Sequence, residues 1–434
     1  MRRNIVHLGA SSLTYAIREI VQVAHKVQEL GQEITWENIG DPVLKGEQVP
    51  PWIKEIFHKT IDNNLSWGYC DTAGIPATRE FLAEKANERG GARLTPDDIM
   101  FFNGVGDAVS KIYGFLRREA RIIGPTPAYS THSSAEGAHS GYAHLTYELD
   151  PYRNWMPDLE DIRLKIRYND SITGILLINP DNPTGAAYPP EVLSEIVSIA
   201  REFDLCILCD EIYAHVVFEQ GATRHLSELV EDVPAIVMRG LSKEIPWPGA
   251  RCAWLEILNR EKDETFNTYV KSLLAAKRLE VCSTTAPQMA IPEIFSDPRY
   301  PRHLADRASV LNSRADEVMS TFKDVPGILV NKPMGALYAT ILFEKGVLND
   351  RQSLKIDNPE IKNLIEGLVS GCPMDQRFVY YLMGATGICV VPLSGFYCSR
   401  NGFRITLLEC DDAKRLQTYQ TIAASIKDYL SSDG

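Results

Sequence analysis

The hydrophobic positions of this 434-residue chain follow two alternating patterns between residues 67 and 258. Short continuous apolar runs, such as residues 175–178 and 205–209, are separated by segments with the spacing of amphipathic helices, such as residues 191–203. Continuous apolar runs are typical of strands that are buried on both faces. The pattern therefore predicts an α/β fold in which helices sandwich a mostly parallel sheet, with ligands bound at the carboxyl ends of the strands.

The two ends of the chain have a different pattern. An apolar stripe between Leu13 and Leu30 indicates an early helix, capped by Ser11 or Ser12 and ended by Gly31. This helix is expected to cover either the protein body or a partner subunit. After a helical section at residues 261–322, short strands and helices alternate irregularly and indicate a smaller α+β domain. We therefore predict an N-terminal segment at 1–65 that joins the small domain and a dimer contact, a large domain at 66–315 and a small domain at 316–434.

Composition and charge exclude several classes of protein. The net charge is −12 and no basic stripe is present, which argues against a nucleic-acid partner. No apolar run is long enough for a secretory signal or a membrane span. Nine scattered cysteines are typical of a reducing compartment, so we expect a cytoplasmic protein without a metal site. Cys206 and Cys209 have the spacing of a metal pair, but they fall within a predicted strand and are better explained by core packing.

A lysine lies where one of the predicted strands ends. Lys243 follows the apolar run 235–238 and precedes a turn that contains Pro248 and Gly249. A lysine forms a Schiff base only when its amine is unprotonated, and burial beside a cation such as Arg251 favours that state. Lys243 is therefore a candidate reactive amine, although the short motif alone is more typical of a surface loop.

Other candidate site residues follow other predicted strands. Asn103 to Gly106 separates a strand from a helix, where backbone N–H groups can bind a phosphate, although the motif lacks the third glycine of a dinucleotide fingerprint. Tyr129 can stack on a planar ring. Asn182 lies in a rigid turn with two Asn–Pro steps, one of which is expected to be cis.

An aspartate and a tyrosine close a further strand. Asp210 needs a partner if it is buried, and a pyridinium nitrogen is a suitable one because an ionised carboxylate keeps that nitrogen protonated. Tyr213 can hydrogen-bond an oxygen on the same ring. Glu211 is interpreted as the acidic start of a loop.

Along the chain, the motifs come in the order phosphate loop, stacking aromatic, asparagine, aspartate with tyrosine, and lysine with arginine. Taken together in this order, they resemble the motifs of the aspartate aminotransferase superfamily, the fold type I enzymes that use pyridoxal 5′-phosphate, over nearly the whole chain. The resemblance implies that Lys243 holds the cofactor as an internal aldimine and that Asp210 pairs with its ring nitrogen. It also implies contacts to the ring oxygen, to the ring face and to the phosphate. The residues implied for these contacts are Asn182 and Tyr213 at the oxygen, Tyr129 on the ring, and Gly104, Val105, Ser242 and Arg251 at the phosphate.

The resemblance implies further residues that bind substrate or act between subunits. Arg404 is similar to the arginine that grips the substrate α-carboxylate, and Gly40 to a glycine beside that carboxylate. Asn182 is implied at the substrate as well as at the cofactor. Tyr69 resembles the tyrosine that reaches the phosphate of the neighbouring subunit, which implies a homodimer.

Two positions depart from the family pattern. Gly240 stands where a serine is frequent, so one phosphate contact is missing or replaced. Val105 lacks the hydroxyl group that many relatives have, which leaves its backbone N–H as the contact.

The predicted activity is transamination from an L-amino acid of the alanine or aspartate type to a 2-oxo acid such as 2-oxoglutarate. Residues 13–18 and 38–42 resemble the alanine aminotransferase-like branch, which favours a small amino acid. The same residues also serve carbon–sulfur β-lyases and related α-carbon chemistry. A regulatory module without activity is disfavoured because both Lys243 and Asp210 are present.

Overall fold

The strands and helices of the protein were located in a computed structural model that describes residues 5–7, 9–13 and 16–432, without the side chains of residues 12, 16 and 17. The strands are β1 Thr35–Trp36, β2 Ile99–Phe102, β3 Arg121–Thr126, β4 Leu145–Asp150, β5 Met156–Pro157, β6 Ile172–Ile178, β7 Cys206–Asp210, β8 Ala235–Gly240, β9 Ala253–Leu258, β10 Ile328–Val330, β11 Tyr338–Phe343, β12 Ile388–Cys389, β13 Val391–Pro392 and β14 Gly402–Thr406. The helices are α1 Ala16–Glu29, α2 Pro51–Asp62, α3 Pro76–Glu88, α4 Val105–Gly114, α5 Ser130–Ser140, α6 Leu159–Arg167, α7 Pro190–Glu202, α8 Leu226–Leu229, α9 Leu241–Glu244, α10 Glu264–Arg278, α11 Thr285–Ser296, α12 Tyr300–Phe322, α13 Pro359–Leu368, α14 Met374–Thr386 and α15 Asp412–Ser431.

Eight of these strands form the large sheet, in the order β2-β9-β8-β7-β6-β3-β4-β5. The pairs from β8 to β4 are all parallel, whereas β9 runs antiparallel to both of its neighbours and β5 runs antiparallel to β4. Separate apolar clusters lie on its two faces: Cys209 belongs to one and Cys206 packs against the other. The predicted α/β fold and the predicted core role of these cysteines are confirmed.

A smaller antiparallel sheet has the order β10-β11-β14-β13 and places its own core against α12, α14 and α15. Helix α1 packs into this core through Ile20, Ala24 and Val27, so its apolar stripe is covered within the chain. The predicted domain boundary at residues 315 and 316 falls inside α12 and stays a prediction.

The structure corrects the predicted start of the early helix. Residues Ala10–Ser12 form a short 3-10 turn, and the described helix α1 begins only at Ala16. Thr14 and Tyr15, which carry part of the resemblance to the alanine branch, lie outside the described residues. Helix α1 ends before Gly31, whose φ of +95° is the left-handed conformation that favours glycine at a helix end. No helix within the described residues combines the length and the apolar character needed to cross a membrane.

Helix α5 was not predicted from the sequence. Its residues are mostly small or polar, so they show no apolar stripe, although most of them are buried. The Asn179–Pro180 bond is cis, as the sequence predicts for one of the two Asn–Pro steps.

Candidate active site

A cavity of about 520 Å³ lies at the carboxyl ends of the strands of the large sheet. Its floor is formed by residues that follow different strands, because parallel strands bring their carboxyl ends to one edge. The small sheet contributes Tyr338 and Arg404, and α1 contributes Arg18. Helix α1 and the segment 38–44 form a wall of this cavity.

Lys243 enters this cavity from α9, the short helix that begins directly after β8. Its Nζ donates a hydrogen bond to the carbonyl oxygen of Gly40 at 2.5 Å and lies 6.0 Å from the centre of the Tyr213 ring. The main chain of α9 is held from outside the cavity, because Arg307 Nη1 donates to the carbonyl oxygens of Lys243 at 2.7 Å and Glu244 at 3.0 Å. Arg307 therefore fixes the backbone of Lys243, and the carbonyl oxygen of Gly40 fixes the direction of its amine.

Asp210 ends β7 and is 2% exposed. Its Oδ1 accepts from the backbone N–H of Ile212 at 3.0 Å, and its Oδ2 lies 2.9 Å from Nε2 of His132. Because a carboxylate only accepts hydrogen bonds, Nε2 is the donor in this pair. His132 Nδ1 is buried and has no partner among the residues described. The pair holds a carboxylate at the base of the cavity in one orientation.

The N-terminus of α4 forms the end of the cavity nearest Arg251. Gly104 precedes the helix with a φ of 93°, and Val105 is its first residue. A Cβ at Gly104 would lie 2.2 Å from Arg251 Nη2, which donates to the carbonyl oxygen of Asn103 at 3.2 Å. Glycine is thus required both by the backbone conformation and by the approach of the guanidinium. With Ser242 alongside, the arrangement suits an anion, because helix N-termini present unpaired N–H groups.

At the opposite side, Arg404 is a buried cation with 1% exposure. Its Nη1 donates to Oδ1 of Asn182 at 3.0 Å and its Nη2 to the carbonyl oxygen of Asn38 at 2.6 Å. The guanidinium lies 4.2 Å from the ring centre of Tyr338 and 5.0 Å from that of Phe396. Its Nε and both polar atoms of the Asn38 side chain are buried without a partner in the described part of the chain. Buried polar groups of this kind are normally satisfied, so this region is built for a polar ligand.

The cavity carries an excess of positive charge. Lys243, Arg251 and Arg404 line it, and within residues 5–7, 9–13 and 16–432 no carboxylate oxygen lies within 4.0 Å of these three cations. The carboxylates that line it are Asp210 and Asp41, and Asp210 is already paired with His132. Arg404 is buried and needs an opposite charge, while Lys243 and Arg251 are further cations without a carboxylate partner, so the cavity suits a ligand with more than one anionic group.

Charged groups also lie behind the cavity wall. Glu211 begins the loop after β7, as interpreted from the sequence, but it is buried and accepts from Arg239 at 2.5 Å. Burial by itself raises the pKa of Glu211, but Arg239 and the hydrogen bond from His225 lower it to about 2. Burial raises the pKa of Glu244, next to Lys243, to about 7 despite the opposing effect of Arg239.

Comparison with known families matches residues 36–419 to the family described as aminotransferase class I and II. The chain belongs to this family. Enzymes of this family depend on pyridoxal phosphate, and the aminotransferase therefore has the fold type and the enzyme class that the motifs predict.

The relatives of this aminotransferase include proteins named for alanine, as the resemblance predicted. An uncharacterised aminotransferase of Methanocaldococcus jannaschii is 50% identical over 432 residues, which are 100% of both chains. The glutamate-pyruvate aminotransferase AlaA of Escherichia coli K12 is 30% identical over 374 residues, 85% of this chain and 90% of AlaA. The structure of alanine aminotransferase from Pyrococcus furiosus has a TM-score of 0.83 at 28% identity and covers 96% of this chain and 98% of that one.

The structure of the aminotransferase brings most of the predicted site residues together. Gly104 is just behind the cavity wall and contacts it through Arg251, whereas Tyr69 lies apart and is 86% exposed. The predicted residues that line the cavity itself are Gly40, Val105, Tyr129, Asn182, Asp210, Tyr213, Ser242, Lys243, Arg251 and Arg404.

The two departures from the family pattern have physical explanations. A Cβ at Gly240 would lie 2.8 Å from the carbonyl oxygen of Cys252 and 3.1 Å from Ala253, so β9 leaves no room for a side chain there. Val105 places its backbone N–H at the N-terminus of α4, where no hydroxyl group is needed to present a donor.

Sequence reasoning missed four residues at or next to this site. His132, Tyr338, Arg18 and Arg307 contact or line it, but they lie on three helices and a strand whose sequences carry no local site motif. Arg18 lay within the stretch used for the alanine branch, and its charge was the one available signal.

Proposed function

We propose that this aminotransferase moves an amino group from a small L-amino acid such as alanine to a 2-oxo acid such as 2-oxoglutarate, using pyridoxal 5′-phosphate bound to Lys243. The observation that carries this proposal is the convergence of Lys243, Asp210, Asn182 and Arg404 on one cavity, from four separate parts of the sequence. Each of the four residues lies in or just after a different strand. The tertiary fold, and not a local sequence motif, therefore brings them together.

The chemistry of the side chains fits this cofactor. A phosphate suits the N-terminus of α4, where the N–H groups of Val105 and Gly106, the hydroxyl group of Ser242 and the Arg251 guanidinium are available. The glycine at position 104 supports the same assignment, because a side chain there would displace Arg251. Asp210 and its partner His132 suit a protonated ring nitrogen. Asn182 and Tyr213 supply donors for the ring oxygen, and Tyr129 an aromatic face for the ring.

Bound there, pyridoxal phosphate supplies an electron-withdrawing ring that stabilises negative charge on the α-carbon of the substrate. The protein's own groups do the rest. With the cofactor bound, Asp210 would keep its ring nitrogen protonated, and Lys243 would move the proton from the substrate α-carbon to the C4′ carbon of the cofactor. Arg404 binds the α-carboxylate with its planar guanidinium, positioned by Asn182 and by the carbonyl oxygen of Asn38. Gly40 leaves room for the hydroxyl group of Tyr338, whose ring lies against Arg404.

The substrate class is supported by the remaining cation of the cavity. Arg18 on α1 lines the wall opposite the sheet, so a second carboxylate, such as the distal one of 2-oxoglutarate or glutamate, has a cation to bind. A small amino acid such as alanine has no second carboxylate and binds without a contact to Arg18. The names of the Escherichia coli and Pyrococcus furiosus relatives agree with this pairing of substrates.

We infer a homodimer in which Tyr69 reaches the phosphate in the neighbouring subunit. Tyr69 belongs to a group of large exposed apolar and aromatic residues on two adjoining segments, which are joined by the hydrogen bond from Thr285 Oγ1 to the carbonyl oxygen of Gly68 at 2.7 Å. The other members of this group are Leu65, Trp67, Leu279 and Val281. An exposed group of this kind is typical of an interface. Gel filtration that gives a fully active monomer would contradict the dimer.

A cytoplasmic location is part of the same proposal. All nine cysteines fall within the described residues and none forms a disulfide, which is typical of proteins in a reducing compartment.

The direct test of the proposal is replacement of the lysine. Lys243→Ala is expected to lose transamination and to lose the visible absorbance of bound cofactor, because among the described residues that line the cavity Lys243 is the one lysine. Lys271→Ala, at an exposed lysine on α10, is the control and is expected to retain both. Lys243→Ala with the parent's activity and absorbance would show that the assignment is wrong.

The substrates require a second experiment. Initial rates are measured for a panel of amino acids, including alanine, aspartate and glutamate, against 2-oxoglutarate and pyruvate. Transamination between alanine and 2-oxoglutarate is expected to have the highest kcat/KM. Release of pyruvate and ammonia from a sulfur-containing amino acid at a comparable rate would instead favour carbon–sulfur β-lyase chemistry on the same residues.

A further inference from the structure

Tyr338, at the start of β11, is held in the centre of the cavity by residues from several elements. Its hydroxyl oxygen lies 3.1 Å from that of Tyr213, and the two rings are almost perpendicular at 82°. Arg404 covers its ring at 4.2 Å. A Cβ at Gly40 would lie only 2.0 Å from the Tyr338 hydroxyl oxygen. The phenol is 3% exposed, so its position is determined by its neighbours rather than by solvent.

The charges around the two hydroxyl groups decide which of them donates. Burial raises the pKa of Tyr338, but Lys243 from α9, Arg404 from β14 and the hydrogen bond with Tyr213 outweigh it and lower that pKa, against the opposing charge of Asp41. Burial and the neighbouring Tyr338 both raise the pKa of Tyr213. The hydroxyl group with the lower pKa is the better donor, so these charges favour donation from Tyr338 to Tyr213 across their 3.1 Å contact and leave the Tyr213 proton available to another acceptor.

We propose that Tyr338 is a positioning residue that controls the direction of the Tyr213 hydroxyl proton and thereby the strength of the hydrogen bond that Tyr213 gives to the ring oxygen of the cofactor. This inference rests on the proposed function. A hydroxyl group has one proton, so Tyr213 donates to the ring oxygen only by turning that proton away from Tyr338. Tyr338 donates its own proton to Tyr213, which completes a chain from Tyr338 to Tyr213 to the ring oxygen. Hydrogen bonds in such a chain polarise one another and become stronger.

The test uses the pH titration of the visible absorption band of the bound cofactor. Tyr338→Phe keeps the ring against Arg404 but removes the hydroxyl group. The hydrogen bond from Tyr213 becomes weaker, so the ring oxygen retains a share of a proton at higher pH. The titration midpoint is expected to rise by a few tenths to about one pH unit, the range of one neutral hydrogen bond. A purely structural role for Tyr338 does not predict this shift.

A double-mutant cycle shows whether Tyr338 acts through Tyr213. Tyr213→Phe is expected to raise the midpoint further than Tyr338→Phe does, and adding Tyr338→Phe to Tyr213→Phe is expected to change nothing more. Tyr419→Phe is the control, because that buried hydroxyl group bonds the carbonyl oxygen of Thr406 at 2.7 Å and does not line the cavity. Its midpoint is expected to equal that of the parent.

Each contradictory result has a separate meaning. An unchanged midpoint in Tyr338→Phe, or an equal rise in the presence and absence of the Tyr213 hydroxyl group, would overturn the inference alone. A parent enzyme without a visible band that depends on Lys243 would contradict the proposed function and the inference with it.

Discussion

The Nζ of Lys243 donates a 2.5 Å hydrogen bond to the carbonyl oxygen of Gly40, which lies 203 residues earlier in the chain. The bond joins the large sheet to the N-terminal segment that forms the cavity wall. Gly40 has no side chain, and the space beside it is taken by the hydroxyl group of Tyr338. The Lys243 amine, the wall at Gly40 and the Tyr338 hydroxyl group are therefore fixed relative to one another. A change in the position of one of them is expected to shift the others.

Gly40→Ala tests the space at this contact. The new Cβ would lie 2.0 Å from the Tyr338 hydroxyl oxygen, so the segment or the tyrosine must move. The free energy of unfolding is expected to fall by about 1–3 kcal/mol, as for other overpacked sites, and kcat/KM is expected to fall with it. Urea denaturation and steady-state kinetics measure the two effects.

The matched control is Gly367→Ala on α13, where a Cβ meets nothing within 4 Å. This substitution is expected to leave activity unchanged and to add up to about 1 kcal/mol of stability, since alanine is the better helix former. Full activity and stability in Gly40→Ala would show that the wall moves freely.

His132→Ala tests the support of Asp210. The carboxylate would lose its 2.9 Å partner while remaining buried. Hydrogen bonds to charged groups contribute about 1.5–3 kcal/mol, so kcat/KM is expected to fall about 10- to 100-fold. His139→Ala, on the same helix with its ring bonded to the carbonyl oxygen of Ala120, is expected to lose stability but not activity. Equal kinetic effects of the two substitutions would argue against a role for His132 in the site.

Arg404→Lys tests recognition of the α-carboxylate. An ammonium group cannot reproduce the fork that joins Asn182, Asn38 and a bound carboxylate. KM for both the amino acid and the 2-oxo acid is expected to rise about 10- to 100-fold through the loss of a charged hydrogen bond. Arg377→Lys is the control and is expected to leave KM unchanged. Like Arg404, this arginine lies over a tyrosine ring, 5.2 Å from the centre of Tyr381, but it does not line the cavity. An unchanged KM in Arg404→Lys would place the carboxylate elsewhere.

Arg307→Lys tests whether α12 holds the lysine in place. Arg307 bonds the carbonyl oxygens of Lys243 and Glu244 and also pairs with the Glu47 carboxylate, so it links α9 to the segment that leads to Gly40. A lysine cannot reach all three but keeps the charge and part of the contact, so kcat is expected to fall about 3- to 10-fold, which corresponds to about 1 kcal/mol. The titration midpoint of the cofactor band is expected to change as well.

Arg302→Lys provides the comparison for Arg307→Lys. Arg302 lies on the same helix with a side chain that is 85% exposed, so its replacement is expected to affect neither quantity. A midpoint identical to the parent's in Arg307→Lys, with only a loss of stability, would indicate a structural role alone.

Glu244→Gln tests a pH dependence of stability. Burial raises the pKa of Glu244 from 4.5 to about 7, so folding takes up a proton between these values. The stability linked to this group is present in full below about pH 4.5 and is lost as the pH rises through 7. Glutamine stays neutral, so the variant is expected to gain up to about 3 kcal/mol over the parent at pH 8, where the parent's carboxylate is ionised, and little at pH 5.

The difference in the free energy of unfolding between Glu244→Gln and the parent is measured by urea denaturation at pH 5 and pH 8. The protein concentration is kept the same in all samples. Glu84→Gln, at an exposed glutamate of α3, is expected to show no pH-dependent difference. A gain for Glu244→Gln that is the same at pH 5 and pH 8 would contradict the raised pKa.

The large sheet was predictable from the sequence because its signal is local. Strands buried on both faces need continuous apolar runs, and the helices between them need an apolar stripe, whatever the rest of the chain does. Helix α5 was not predicted for the same reason. Most of its residues are buried, but they are small or polar and so form no apolar stripe that the sequence could show. The early helix was predicted too long because a serine near its start was taken as its cap, whereas Ala10–Ser12 form a separate 3-10 turn.

At the candidate site, many of the residues found from the sequence lie at or just after the ends of strands, such as Asp210 and Lys243, since the end of a parallel strand already specifies the edge of the sheet. The residues that were missed, such as His132 and Tyr338, occupy positions that follow from packing between elements distant in the chain. Asn182 and Arg404 are separated by 222 positions in the chain, and Tyr213 and Tyr338 by 125. These pairs meet because the two cores pack against each other, which no local period encodes. Local pattern thus specified the groups available for chemistry, and long-range packing specified which of them share hydrogen bonds and charge.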